Sequence, residues 1–199
     1  MRACYLPSVS ATPAPRMTAT EYLAWEREQG ERHHFLRGEV FAMAGGSPRH
    51  NALCLRVGGK LDAAFEGGPC HALSSDQRVA VREGEHYVYP DVTVVCGPRQ
   101  FAAGTKDTLV NPTVVVEVLS KSTEAYDRGA KWDDYRQLPS VTDYLLVSQS
   151  SPRIEHYQRA DGGEWHYRVA SAGGRVTLAN GAVLDVDAVF RGVFELEGE

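Results

Sequence analysis

No stretch of this 199-residue chain approaches the roughly 20 consecutive apolar residues of a membrane span, and residues 1–16 lack the unbroken apolar segment of a secretion signal. The four cysteines, Cys4, Cys54, Cys70 and Cys96, are too scattered to include a pair at zinc-ligand spacing. A chain of this length builds a core without cross-links, so reduced thiols and a cytoplasmic location are expected. Neither common glycine-rich phosphate loop is present, which argues against nucleotide binding. Nor does one sign of charge dominate. The net charge is −5, of which −4 falls from Asp185 onward, so the rest of the chain is nearly neutral. Charge alone therefore neither supports nor excludes a phosphate backbone as substrate.

What is present reads as one domain over residues 17–199, behind an Ala-, Pro- and Ser-rich segment, 1–16, taken as a disordered leader, with Met17 as an alternative start. Thr18 and Glu21 match a capping box opening a short helix to about residue 28. Two strands, 34–36 and 39–43, turn at Arg37-Gly38. Ser47-Pro48 then starts an amphipathic helix over 48–66, carrying Leu53, Val57, Leu61 and Phe65. Strands are expected at 70–74, 77–83, 86–95 and 113–119, a loop at 97–112, and a second long helix at 124–138. Further strands follow at 142–148, 153–159, 164–170 and 175–179. This order suits an α/β (α+β) sandwich around a mixed sheet better than a regular βαβ series.

One residue is out of place in that pattern. Glu117 stands alone in Thr113-Val114-Val115-Val116-Glu117-Val118-Leu119, a run that reads as a strand buried on both faces. An ionised carboxylate there requires a cation or several donors. Two partners answer the requirement: a metal ion, or a buried ion pair with Lys131. The strand Tyr89-Pro90-Asp91-Val92-Thr93-Val94-Val95 supplies a second acid. If it pairs with 113–119, Asp91 and Glu117 project from one face, and a hard divalent cation with oxygen ligands relieves their repulsion. Asp127, Lys131 and Tyr135 are spaced by four and share one helix face, where Asp127–Lys131 also reads as an ordinary surface ion pair.

These residues carry a resemblance. Pro90-Asp91, Val116-Glu117-Val118-Leu119-Ser120, Asp127-x-x-x-Lys131-x-x-x-Tyr135 and Asp143-Tyr144-Leu145-Leu146-Val147 resemble the Uma2 endonuclease family, within the PD-(D/E)XK, restriction-endonuclease-like superfamily. Arg37-Gly38-Glu39-Val40 and Gly46-Ser47-x-x-His50 are similar to its N-terminal half, so the likeness runs from about Met17 to the C-terminus. It implies a restriction-endonuclease-like core, with a central mixed β-sheet flanked by helices. It further implies Mg²⁺ or Mn²⁺ on Asp91, Glu117 and the Val118 carbonyl, with DNA as substrate. The superfamily's lysine two positions after the glutamate is Leu119 here. The resemblance moves that role to Lys131 on the following helix, with Lys121 as its rival. Glu39 is expected to complete the metal shell, and His50, Asp127 and Tyr135 to attend the substrate or the site. A homodimer would suit cleavage of both strands of a duplex. The missing lysine also sustains a second reading, a nuclease fold kept as a nucleic-acid- or protein-binding module.

Overall fold

The computed structural model describes residues 16–196. Apart from Arg16, the expected leader lies outside the described residues. Helix α1 (Ala19–Glu26) opens on the capping box: Glu21 N–H donates to Thr18 Oγ1 at 3.2 Å, and Thr18 N–H donates to Glu21 Oε2 at 2.7 Å. Strands β1 (His33–Leu36) and β2 (Glu39–Ala42) turn through Arg37 and Gly38, both at positive φ (48° and 92°), as a tight two-residue hairpin requires. Helix α2 (Pro48–Ala64) is capped by Ser47, whose Oγ accepts His50 N–H at 3.1 Å.

Strands β3 (Cys70–Ser74), β4 (Arg78–Arg82), β5 (His86–Val88), β6 (Val92–Cys96), β7 (Thr108–Leu109) and β8 (Val114–Val118) follow. Next come helix α3 (Glu124–Tyr126), a π-helical turn (Asp127–Lys131) and helix α4 (Trp132–Tyr135). The chain closes with β9 (Asp143–Val147), β10 (Arg153–Arg159), β11 (Trp165–Ser171), β12 (Arg175–Thr177), β13 (Val183–Asp185) and helix α5 (Val186–Phe190).

The central sheet is mixed and six-stranded, in the order β11-β10-β9-β8-β6-β3, with β8 and β9 parallel and the other pairs antiparallel. Every residue of β8 is buried. Val114, Val116 and Val118 face a layer formed by Leu53, Val57 and Leu61 of α2 with α5, β12 and β13. Val115 faces the opposite layer, where Tyr135, Tyr144 and Leu146 meet Val79, Val88 and Leu109 of a second sheet. Glu117 alternates with Val116 and so lies on that second side. The second sheet runs β2-β1-β5-β4-β7. Trp132, Tyr144, Tyr157, Trp165 and Tyr167 form one connected cluster of stacked, tilted and edge-on rings, so the aromatic residues of this half belong to packing.

Several sequence expectations need correction. The expected strand 86–95 is two strands in two sheets, broken at Tyr89-Pro90-Asp91 because Pro90 has no N–H for the ladder. The expected helix 124–138 is not continuous: a π turn interrupts it, and the helical residues end at Tyr135. The expected loop 97–112 contains β7, which pairs with β4 in parallel. Strand β13 and helix α5 were not anticipated. The thiols are not all reduced: Cys70 and Cys96 stand directly opposite each other in the β3–β6 register and form a disulfide, while Cys54 is free. Among the described residues no helix is long and apolar enough to cross a membrane.

Candidate active site

The end of β8 is where three layers meet. One step beyond the Val92–Val116 pair, Asp91 falls opposite Glu117. Leu119 N–H donates to Val147 O of β9 at 2.8 Å. Backbone groups alternate sides along a strand, so Val118 turns its N–H and C=O to the other side. There the β6 ladder has run out, and Asp91 Oδ2 accepts the Val118 N–H at 2.7 Å. His50, from the first turn of α2, sets Nε2 at 3.3 Å from the same Oδ2. Both contacts fall on Oδ2, and Oδ1 takes part in neither.

Glu117 is held from the opposite layer. Tyr135 donates its hydroxyl to Oε1 at 3.1 Å, and Lys131 Nζ lies 3.0 Å from Oε2. The same Nζ lies 2.8 Å from Asp127 Oδ1. Spaced by four within the π turn, Asp127 and Lys131 share one face, and both are buried. The Tyr126 ring covers the ammonium, with Nζ 5.5 Å from its centroid.

The electrostatics follow from this crowding. Burial pushes the Glu117 carboxyl up; Lys131 pulls it back, and the Asp127 and Asp91 charges push it further up. Burial works against the charge of Lys131, but Asp127 and Glu117 outweigh it and the ammonium is held more tightly than usual. Asp91 likewise outweighs burial at His50 and raises its imidazole. Three acids thus share one lysine and one histidine. Such a site offers hard oxygen donors on two acids and a backbone carbonyl. That donor set fits a Mg²⁺-type cation, which takes oxygen ligands and usually keeps several waters.

Asp91, Glu117, Val118, Lys131, His50, Lys121 and Asp127 all line one cleft of about 890 Å³. Tyr135 lies behind it, fully buried. Glu39 is a correction: it is exposed, pairs with Arg16 at 3.3 Å and does not line the cleft, because it heads the far end of β2. Lys121 also lines the cleft but is exposed, and Lys131 is the lysine that reaches Glu117. Sequence reasoning passed over Gln149. Its Nε2 donates to Leu119 O at 2.8 Å and its Oε1 accepts the Ser47 hydroxyl at 3.0 Å, tying the end of β8 to the cap of α2. No local pattern marks that residue, since its partners lie 30 and 102 positions away.

A family model for Uma2, described as "putative restriction endonuclease", matches residues 19–196. The chain belongs to the Uma2 family. Two uncharacterized proteins of Synechocystis sp. are similar along its length. One is 38% identical over 184 residues, covering 92% of this chain and 96% of the relative; the other is 34% identical over 149 residues, covering 75% and 84%. In three dimensions the chain is similar to the crystal structure of "a putative nuclease belonging to DUF820" from Anabaena variabilis. The TM-score is 0.72 at 15% identity, covering 89% of this chain and 99% of that one. The Uma2 core seen here is therefore restriction-endonuclease-like, with the acids at the open end of its central strands.

One wall of the Uma2 cleft is a charge cluster with a clear pH signature. Arg128 donates Nη2 to Glu155 Oε1 at 2.8 Å, and Tyr167 and Arg153 add to the same carboxylate. These donors, Arg128 first, pull Glu155 down to about 2 against its burial. A carboxyl lowered on folding stabilises the fold above its unfolded pKa, about 4.3, and that contribution is lost as pH falls through about 2. Acidification over that window is expected to lower Tm more steeply in the wild type than in Glu155→Gln, as thermal melts by circular dichroism would show.

Proposed function

We propose that this chain is a metal-dependent endonuclease that hydrolyses DNA phosphodiester bonds. The observation that carries the reading is the shared lysine: Nζ lies within 3.0 Å of both Glu117 and Asp127, beside Asp91, in an open cleft. Asp91, Glu117 and the Val118 carbonyl would hold Mg²⁺ or Mn²⁺. When bound, such an ion polarises the phosphate and lowers the pKa of a coordinated water.

The rest of the chemistry is assigned to the protein's own groups. Lys131, kept as an ammonium by two carboxylates, is a donor that orients the attacking water and faces the charge growing on the phosphoryl oxygens. Tyr135 and Asp127 position Glu117 and Lys131 without contacting substrate. His50 fixes Asp91. Arg49, Lys121 and Arg153 line the same cleft and suit a phosphate backbone. Water adds at phosphorus, the P–O ester bond breaks, and the leaving oxygen takes a proton, giving a phosphate monoester and an alcohol.

The test is cleavage of supercoiled plasmid with Mg²⁺ or Mn²⁺. Wild type is expected to nick or linearise it, and Asp91→Asn to lose that activity with an unchanged circular-dichroism spectrum. Equal cleavage by both proteins would remove Asp91 from the mechanism. The second reading, a binding module on a nuclease fold, is favoured by Leu119, which fills the usual lysine position with a buried core side chain. Calorimetric titration with Mg²⁺ separates the two, because a module without a metal site gives no heat that depends on Asp91.

A further inference from the structure

The α2 side of Asp91 carries donors of a different chemical kind. His50 and Cys54 are one helical turn apart on the same face, with Nδ1 and Sγ 3.4 Å from each other. Asp91 joins them from the strand end, so that one donor atom from each of the three lies within 4.8 Å of the others. Ligand atoms on a tetrahedral ion with bonds of about 2.0–2.3 Å stand about 3.5 Å apart. His50 meets Cys54 through Nδ1 and Asp91 through Nε2, so closing the three donors on one ion takes a rotation of the imidazole that gives a single nitrogen to the ion. All three residues are half-buried, and Cys54 is outside the disulfide.

A nitrogen, a sulfur and a carboxylate oxygen are the ligands of a borderline-soft ion such as Zn²⁺, with the fourth position left for water. Mg²⁺, which takes oxygen, has little use for an imidazole or a thiol. We infer that His50, Cys54 and Asp91 form a Zn²⁺ site that shares Asp91 with the nuclease site and inhibits cleavage when filled. The inhibitory half of this rests on Asp91 being a ligand of the catalytic ion; the binding half does not. On binding, the Cys54 thiol proton passes to solvent and the thiolate bonds to the metal. The ion takes up the Asp91 carboxylate and, with the Cys54 thiolate, cancels its charge, so a second divalent cation would be left with only one of its two carboxylate ligands.

Binding is read first with Co²⁺ as a spectroscopic stand-in and with Zn²⁺ by calorimetry, both without Mg²⁺. Wild type is expected to bind one ion per chain and to show a sulfur-to-cobalt charge-transfer band. Cys54→Ser, nearly isosteric and so expected to fold, should lose the band and bind Zn²⁺ at least tenfold more weakly. Plasmid cleavage in Mg²⁺ should then be unchanged in Cys54→Ser but at least tenfold less sensitive to Zn²⁺. Equal Zn²⁺ affinity in the two proteins, or a cobalt spectrum without the sulfur band, would overturn the site. Zn²⁺ that binds through Cys54 but leaves cleavage unaffected or faster would overturn the inhibition. If wild type cuts no substrate, the nuclease reading fails by itself and the cobalt spectrum still decides the site.

Discussion

Glu117→Gln is expected to lower Mg²⁺-dependent plasmid cleavage by at least about a hundredfold, the lower end of what one aligned charged or polar group contributes to such a reaction. Glutamine keeps the shape and keeps an acceptor for the Tyr135 hydroxyl, now 3.1 Å from Oε1. It removes the charge a divalent cation would need. The fold should hardly notice. Lys131 retains Asp127 at 2.8 Å, and the substitution relieves the repulsion that Asp127 and Asp91 exert on Glu117. Tm should therefore move by only a few degrees, in either direction, while activity disappears. Initial cleavage rates and thermal melts on the same preparation would show the split. A variant that cuts at wild-type rate would remove Glu117 from the reaction.

Lys131→Met is expected to do the opposite to stability. Methionine fills the buried volume but leaves Glu117, at 3% exposure, and Asp127, at 1%, facing each other without their shared cation. Breaking a buried pair by removing one member costs about 3–5 kcal/mol, since the remaining charge is desolvated and uncompensated. Urea unfolding should show a loss in that range, with cleavage lost as well. The acids left behind form a better cation trap, so Mg²⁺ or Mn²⁺ should raise the Tm of this variant more than that of wild type. A variant as stable as wild type, with or without metal, would show that the lysine does not neutralise the cluster.

The two substitutions divide the candidate site along a line that the sequence revealed only in part. Glu117 was conspicuous because an acid in an apolar strand contradicts its surroundings, and Asp91 because it follows a proline at a strand's start. Their placement opposite each other follows from pairing two readable strands. Lys131 was legible by spacing from Asp127 and by family likeness, but spacing alone gave it as much chance of lying on the solvent face. The helix caps at Thr18 and Ser47 were visible because capping is local chemistry. Glu39 misled because nothing in the hairpin sequence tells which end of β2 points at the cleft. The Cys70–Cys96 pairing depends on strand register between distant segments, and strands β7 and β13, with two and three residues, are too short to show a period.

The π turn has a further consequence. An α-helix turns once in about 3.6 residues and this turn holds about one residue more, so deleting one position between Asp127 and Lys131 would let the segment close as a regular helix with the two still neighbours, three apart. The extra residue is slack that the helix can give back. Arg128 is not part of that slack, because it holds Glu155 in the cleft wall; Gly129 and Ala130 are the positions where a single-codon deletion would cost the cluster least.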